Sequence, residues 1–414
     1  MSTSTTPTET TTFGLAIVGC GQIVTHHLDA IAALSKNQDA SRASIQVRAL
    51  CDPSAERRAV LANLPAVSVL SSDTTTAIAQ YETVQELIQD DVTLNTVDFI
   101  FIAVPHDLHE ELAMTCLKQT TRQTIIMEKP LAPTLEACQR LVQASSENLG
   151  RLIIAEQSPY WPAVVQARHL IHDENAIGTL VAAAGYYYES MRTNVTSGSV
   201  DATSGALGWR GSIARAGGGI AIDGGLHWLR PLREVCGRIT KVVGTTRSRL
   251  LPPAMELEGE SVAHALLEME QEESSSSTIP SSLQQVDGAG PLVATYSCNL
   301  LATAPMAHDM CPYFRFTGTQ GELVIRGNGL LQEQPGAGGL VLYNENHPTG
   351  RDMLDPNQVG GFFGGFQGLW HEISRMVTER DAAAAHQSVV RASDDVRVVL
   401  ALYRSASSRT WEET

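Results

Sequence analysis

The sequence predicts an α/β protein: a doubly wound, mostly parallel sheet over residues 13–155, then a second unit of helices and long strands over 156–414. Three observations predict it. Short apolar runs alternate with helical stretches from Phe13 to Ala155, the signature of βαβ units. The first run ends in Gly19-Cys20-Gly21 and a helical pattern follows at once, the context a dinucleotide-binding turn requires. The chain's 414 residues are also too many for one ordinary core.

The elements follow in order. Met1 to Thr12 is rich in Ser and Thr, lacks a basic or apolar leader pattern, and reads as a disordered tail. Phe13–Val18 is a buried strand. In the turn after it, one glycine permits the bend and the other lets backbone approach a pyrophosphate. The third position of that fingerprint is Val24, not glycine. Helix Gln22–Leu34 leads through a polar loop to strand Ile45–Cys51, which ends in Asp52. An acid there accepts ribose hydroxyls and favours NAD. Arg57 and Arg58, just beyond, could meet a 2′-phosphate, which keeps NADP open. Thr83–Gln89 is a short helix, Val97–Val104 a strand stopped by Pro105, and His106 opens a helix to Gln119. His106 reads first as a helix-start residue. Strand Gln123–Met127 runs into Glu128-Lys129-Pro130; helix Thr134–Ser146, capped by Thr134, and strand Arg151–Ala155 close the series.

Bulk properties limit the partners. Net charge is −16 and the pI about 5.2, so there is no basic footprint for nucleic acid or anionic membrane. No run approaches a membrane span. The seven cysteines are scattered without a CxxC pair, which predicts free thiols in a reduced, cytoplasmic setting. No HExxH or paired-carboxylate spacing suggests a catalytic metal. Lysine is scarce, limited to Lys36, Lys118, Lys129 and Lys241, so a lysine after a strand end is informative.

In the second half, Trp161–His172 reads as a helix and Gly178–Glu189 as a long strand. Gly217-Gly218-Gly219 then opens the densest stretch of the chain, with Asp223 and His227 four residues apart. If the chain is helical from Ile220 to Gly237, both lie on one face, and the carboxylate can orient the imidazole as a general base. Strands Ile239–Arg247, Ser261–Met269, Leu292–Leu301, Phe314–Thr317 and Gly321–Arg326 follow, with an exposed acidic and serine-rich loop at 270–290. Helices Phe366–Arg380 and Asp394–Ser405 end the chain.

Taken together, Gly19-Cys20-Gly21, Asp52, Val104-Pro105 with His109, Glu128-Lys129-Pro130, and Trp209-Arg210 ahead of Gly217-Gly218-Gly219 with Asp223 and His227 resemble the glucose–fructose oxidoreductase/inositol dehydrogenase family. The resemblance runs from about Phe13 to the end. It implies a Rossmann domain followed by an α/β domain on a largely antiparallel open sheet, and a homodimer or homotetramer. It implies an NAD(P)-dependent dehydrogenase acting on a sugar, cyclic polyol or related small molecule, with Lys129, Asp223 and His227 as the catalytic group. It places Gly19, Gly21, Gln22, Ile23, Asp52, Val104, Pro105, His109, Glu128, Lys129 and Gln157 at the cofactor. Tyr160, Trp161, Trp209, Arg210, His227, His308 and Asp309 become candidate substrate contacts. His227 would move the proton, Asp223 orient it, and Lys129 hold the reacting oxygen. Relatives also include glycosidases that use NAD transiently and a dinucleotide-binding sensor without turnover. Two departures bear on substrate choice: Arg230 stands where relatives often have an acid, and Glu156-Gln157-Ser158-Pro159-Tyr160 replaces an Asn-x-Arg-Phe pattern.

Overall fold

The computed structural model describes residues 11–36, 43–71, 77–189, 207–251, 256–270, 290–301, 312–327, 339–357 and 360–414. Two sheets organise it. The first has six strands: β1 (Thr11–Val18), β2 (Ala43–Cys51), β3 (Ala79–Tyr81), β4 (Phe99–Ile102), β5 (Thr124–Glu128) and β6 (Leu152–Ala155), in the order β3-β2-β1-β4-β5-β6. Every pairing in it is parallel. The order reverses between β1 and β4, and this switch point lies beside the Gly19–Gly21 turn, where open α/β sheets take ligands. Strands of this kind are buried on both faces, as β4 shows: Phe99, Ile100, Phe101 and Ile102 are all at most 1% exposed.

The second sheet is mostly antiparallel. Its strands are β7 (Leu180–Tyr188), β8 (Arg238–Ser248), β9 (Glu260–Glu270), β10 (Leu292–Asn299), β11 (Pro312–Gly318), β12 (Gly321–Arg326), β13 (Leu340–Asn344), β14 (His347–Asp352) and β15 (Glu412–Glu413), in the order β14-β13-β12-β11-β7-β10-β9-β8-β15. One pair, β7 with β10, is parallel. The predicted strands are all present, while β3, β13, β14 and β15 were not read from the sequence. The predicted 270–290 loop lies almost wholly outside the described residues.

Three helices pack around the sheets. Helix Leu226–Cys236 packs on β7, and Gly185 of β7 leaves room for Leu232. Helix Gly361–Thr378 lies against helix Ile23–Lys36, with Trp370 wedged beside Phe101 at 5.8 Å. The last helix runs from Ala382 to Ser408, not only from Asp394. It touches both β6 and β8. Asp381 caps its start, accepting the Ala384 amide at 3.0 Å. The helix starts against the first sheet, where Ser388 accepts the Ile154 amide at 3.1 Å, and ends on the second, where β15 pairs with β8, so the last segment of the chain ties the two sheets together. Among the described residues, no helix is long and apolar enough to cross a membrane, and the six described cysteines are free and buried.

Candidate active site

The site begins at the first glycine turn. Gly19 has φ +92°, a conformation open to glycine at little cost, and its amide donates to the Cys51 carbonyl at 2.8 Å. Gly21 differs: a Cβ placed on it would meet no protein atom within 4 Å, so its surface is open to the cleft. Asp52 ties the turn to the end of β2. Its Oδ2 accepts the Cys20 amide and its Oδ1 the Ser54 amide, both at 2.8 Å. Each oxygen retains lone-pair capacity for a further donor. Gln22 and Ile23 lead into the next helix, Ile23–Lys36, which starts beside the turn. The bulkier third position is absorbed, since Val24 is fully buried in the core below. Arg58 does not face the cleft as sequence reading allowed. It is buried, and its guanidinium donates to the Asp52 carbonyl and to Gln80. Arg57 is exposed.

Lys129 follows β5 at a cis peptide to Pro130. Its ammonium donates to the Asp223 carbonyl at 3.0 Å and to Asp223 Oδ1 at 3.2 Å. The other carboxylate oxygen accepts Arg210 Nε at 2.9 Å. Burial alone would raise the Asp223 carboxyl, but Lys129 first, then Arg210 and His106, hold it well below its ordinary value. Arg210 also lies over the Trp209 ring at 4.4 Å, a cation–π contact. His106 meets the same ring edge-on at 4.4 Å and puts Nε2 3.8 Å from Asp223 Oδ1. Its Nδ1 is 3.0 Å from the Ala216 carbonyl. Burial drives this imidazole well below its usual pKa, and Nδ1 donates to that carbonyl, which can only accept. His106 does open the 3-10 turn His106–Leu108, as the sequence suggests, and its ring also lies against Trp209 and near Asp223.

The expected Asp223–His227 pairing is not what the structure shows. Residues 219–225 form an irregular turn, not a helix, and the helix begins at Leu226. Asp223 is therefore turned toward Lys129. His227 Nδ1 instead bonds Glu156 Oε1 at 2.8 Å. Glu156 follows β6, is 4% exposed, and also accepts the Ser158 amide at 2.8 Å. Burial raises its carboxyl, yet His227 chiefly, with Arg230 and Ser158, brings it down to about 2. The carboxylate makes Nδ1 the donor; in the neutral imidazole Nε2 is then the acceptor. Among the described residues, Nε2 has no hydrogen-bond partner. The signal for Glu156 was its place: an acid just beyond the carboxyl end of a parallel strand.

Several other candidates lie elsewhere. His109 is fully buried, with Nδ1 2.8 Å from the Pro130 carbonyl and Nε2 3.1 Å from the Val104 carbonyl. It braces the turn, with both ring nitrogens at backbone carbonyls. The Glu128 carboxylate also points inward. It accepts His27 Nε2 at 2.6 Å and the Lys129 amide at 3.1 Å, while Trp370 Nε1 donates to His27 Nδ1 at 2.9 Å. Trp161 is wholly buried against Trp228 and Phe362, so it is core rather than a substrate contact. Tyr160 packs against Gly368. Arg230, suspected of shaping substrate choice, is buried and paired with Asp395 at 2.8 Å. Val104 and Pro105 stay half-buried at the end of β4. His308 and Asp309 lie outside the described residues.

The residues present fit a dinucleotide. The open Gly21 surface, the Asp52 carboxylate and the helix start form a cradle at the switch point. One further observation agrees: Gln157 is 3% exposed, yet its Oε1 has no partner. A buried amide oxygen without a donor is costly, and a donor group on a bound molecule would relieve it.

Comparison with known proteins agrees with this architecture. Residues 13–156 match the oxidoreductase family GFO/IDH/MocA, described as having an NAD-binding Rossmann fold, and residues 164–324 match the GFO/IDH/MocA C-terminal domain. An inositol 2-dehydrogenase of Salmonella typhimurium is 27% identical over 180 residues, 43% of this chain and 47% of that protein. A D-xylose 1-dehydrogenase [NADP(+)] of Haloarcula marismortui is 28% identical over 160 residues, 37% of this chain and 41% of that protein. The matched region thus spans less than half the length of these curated relatives. Among solved structures, a levoglucosan dehydrogenase in complex with NADH and levoglucosan superposes with TM-score 0.69 at 17% identity, covering 97% of this chain and 99% of that one. An oxidoreductase domain protein from Kribbella flavida gives TM-score 0.73 at 18% identity with the same coverage. At such identities the structures speak for the fold.

Proposed function

The chain belongs to the GFO/IDH/MocA oxidoreductase family, and on that premise we propose that it is an NAD(P)-dependent dehydrogenase. It acts on a CH–OH group, or the matching carbonyl, of a sugar, cyclic polyol or related small molecule. The observation that carries this reading is the junction of Lys129 with Asp223, followed four residues on by a His227 whose Nδ1 is taken by Glu156 and whose Nε2 has no partner among the described residues. The nicotinamide, when bound, supplies the hydride acceptor or donor.

The chain's own residues handle the proton and the oxygen. In oxidation, His227 Nε2 takes the hydroxyl proton, and Glu156 stabilises the imidazolium that results. In reduction, the same nitrogen returns it. Lys129 donates to the reacting oxygen, and its charge favours the developing alkoxide. Asp223 fixes the lysine without cancelling the local field, because Arg210 adds a second positive charge on the other carboxylate oxygen. Gly19, Gly21, Gln22, Ile23 and Asp52 would hold the dinucleotide, with Gln157 at its reactive end. The Asp52 carboxylate and the inward-turned Arg58 favour NAD over NADP. Sugars and polyols as substrates rest on what the relatives are named for.

The test is an absorbance screen with NAD⁺ and NADP⁺ over myo-inositol, D-xylose, levoglucosan and related diols. On the substrate found, Lys129→Ala and His227→Ala should each lower kcat by about 10²–10⁴-fold while NADH still binds. Near wild-type rates in both variants would sink the assignment. NADH binding with no turnover across the panel would point instead to a nucleotide-binding protein without catalysis.

A further inference from the structure

We propose that Glu260 is a positioning residue of this site, acting through the Gly217–Gly225 turn to fix Asp223 against Lys129, with Tyr403 as its support. The inference rests on the catalytic assignment above. Glu260 opens β9, is 4% exposed, and stands outside the cleft chemistry. Its Oε2 accepts the Gly219 amide at 2.9 Å, and its Oε1 accepts the Ala221 amide at 2.8 Å and the Tyr403 hydroxyl at 2.9 Å. Its backbone carbonyl accepts the Ile220 amide at 2.9 Å. Three successive amides of the turn therefore end on one residue. The turn is neither helix nor strand, so these bonds replace a regular ladder.

The glycines are explained by the same contact. A Cβ on Gly219 would overlap the Glu260 carbonyl, and one on Gly218 would overlap the Tyr403 hydroxyl. From this anchor the turn carries on through Asp223 N to Gly219 O at 3.3 Å and Gly225 N to Ile220 O at 2.7 Å. Lys129 is gripped partly by the Asp223 backbone carbonyl. A loosened turn would thus displace both oxygens that hold the lysine, and a shift of about 1 Å in a reacting group can cost about 10²-fold. The acid type matters. All three partners of the side chain are donors, which suits a carboxylate. A glutamine would turn an N–H toward a backbone N–H.

Glu260→Gln keeps size and burial and tests this. The first readout needs no substrate: hydrogen exchange of the 217–226 amides, followed by mass spectrometry, should quicken about tenfold or more. On the substrate from the screen, kcat should fall about 10–100-fold while the KM for NAD⁺ changes less than about twofold. Tyr403→Phe, losing one bond of three, should fall about threefold. Glu260→Gln combined with Asp223→Asn should lose less than the product of the two single losses, because both act on the same grip on Lys129. Ser405→Ala, on the same helix but bonded to Gly244, serves as the control for plain destabilisation. Unchanged exchange, unchanged kcat, multiplying effects, or an equal kcat loss in Ser405→Ala at matched Tm would each overturn the proposal. If instead Asp223→Asn and Lys129→Ala keep full turnover while Glu260→Gln still loosens the turn, the catalytic assignment has failed, not the anchoring.

Discussion

The two glycine-rich turns use the same residue for opposite ends. At Gly19–Gly21 the decisive glycine, Gly21, faces open space; its missing Cβ leaves room for something that is not protein. At Gly217–Gly225 each of the five glycines is crowded by the protein itself. Gly218 meets Tyr403, Gly219 meets Glu260, Gly224 has the Tyr187 ring 2.6 Å from where a Cβ would stand, and Gly225 meets Tyr296. In the sequence both are glycine runs next to candidate site residues, with nothing to tell them apart. The structure separates them: one is a cradle, the other a socket that holds Asp223 rigidly beside Lys129.

The largest effect expected from this contrast is at Gly219. A methyl there collides with the Glu260 backbone, which cannot swing aside as a side chain would. Overpacking of this kind costs about 1–3 kcal/mol, and the turn must move to relieve it. Gly219→Ala should lower Tm by several degrees and kcat by about 100-fold or more, read by calorimetry and steady-state rates. A variant with native Tm and native kcat would show that the socket is slack and the contrast false.

Next in size is Glu156→Gln, which separates His227 from the socket. His227 lies past the turn, on the first residues of helix Leu226–Cys236, and takes its orientation from Glu156 rather than Asp223. The variant should lower kcat about 100-fold with intact NADH binding. It also carries a pH signature. The Glu156 carboxyl falls from 4.5 in the unfolded chain to about 2 when folded. A depressed acid adds stability above its unfolded pKa and loses it as pH falls through the folded one. Between pH 5 and 2 the wild type should therefore lose about 3 kcal/mol more stability than Glu156→Gln, measurable by denaturant titration. Parallel curves would mean that the pair stores no such energy.

How much of this was legible follows from where each signal lies. The first sheet was readable because its strands are short apolar runs bounded by glycine and proline, and Thr134 caps its helix as its type suggests, accepting the Ala137 amide. Lys129 and the glycine turn were readable because their motifs are contiguous. The resemblance grouped Asp223 with Lys129, but the turn that carries Asp223 away from His227 was not readable, since the residue spacing fits a helix and only tertiary bonds to Glu260 reveal a turn. Glu156 was seen only as a departure from a pattern; its partner lies 71 residues away. His109, Glu128 and Trp161 show the converse. They sit in motifs near the cleft, yet their side chains brace the site from behind. Nothing in a linear sequence tells a residue beside the cleft from one supporting it.

The smallest effect belongs to the cradle. Gly21 has an ordinary φ and open surroundings, so alanine is conformationally acceptable and touches no protein atom. Gly21→Ala should leave Tm within about 1 °C, unlike Gly219→Ala. Its methyl would stand where backbone must approach a pyrophosphate. The dissociation constant for NADH should rise about tenfold, a loss of about 1.4 kcal/mol, followed by fluorescence titration, with little change in kcat at saturating nucleotide. Gly19→Ala offers no such clean reading, because its φ of +92° and the nearby Ala103 carbonyl make it a folding position as well. If Gly21→Ala binds NADH as tightly as the wild type, the open surface is not where the nucleotide lies, and the division between cradle and socket would have to be redrawn from the Asp52 side of the turn.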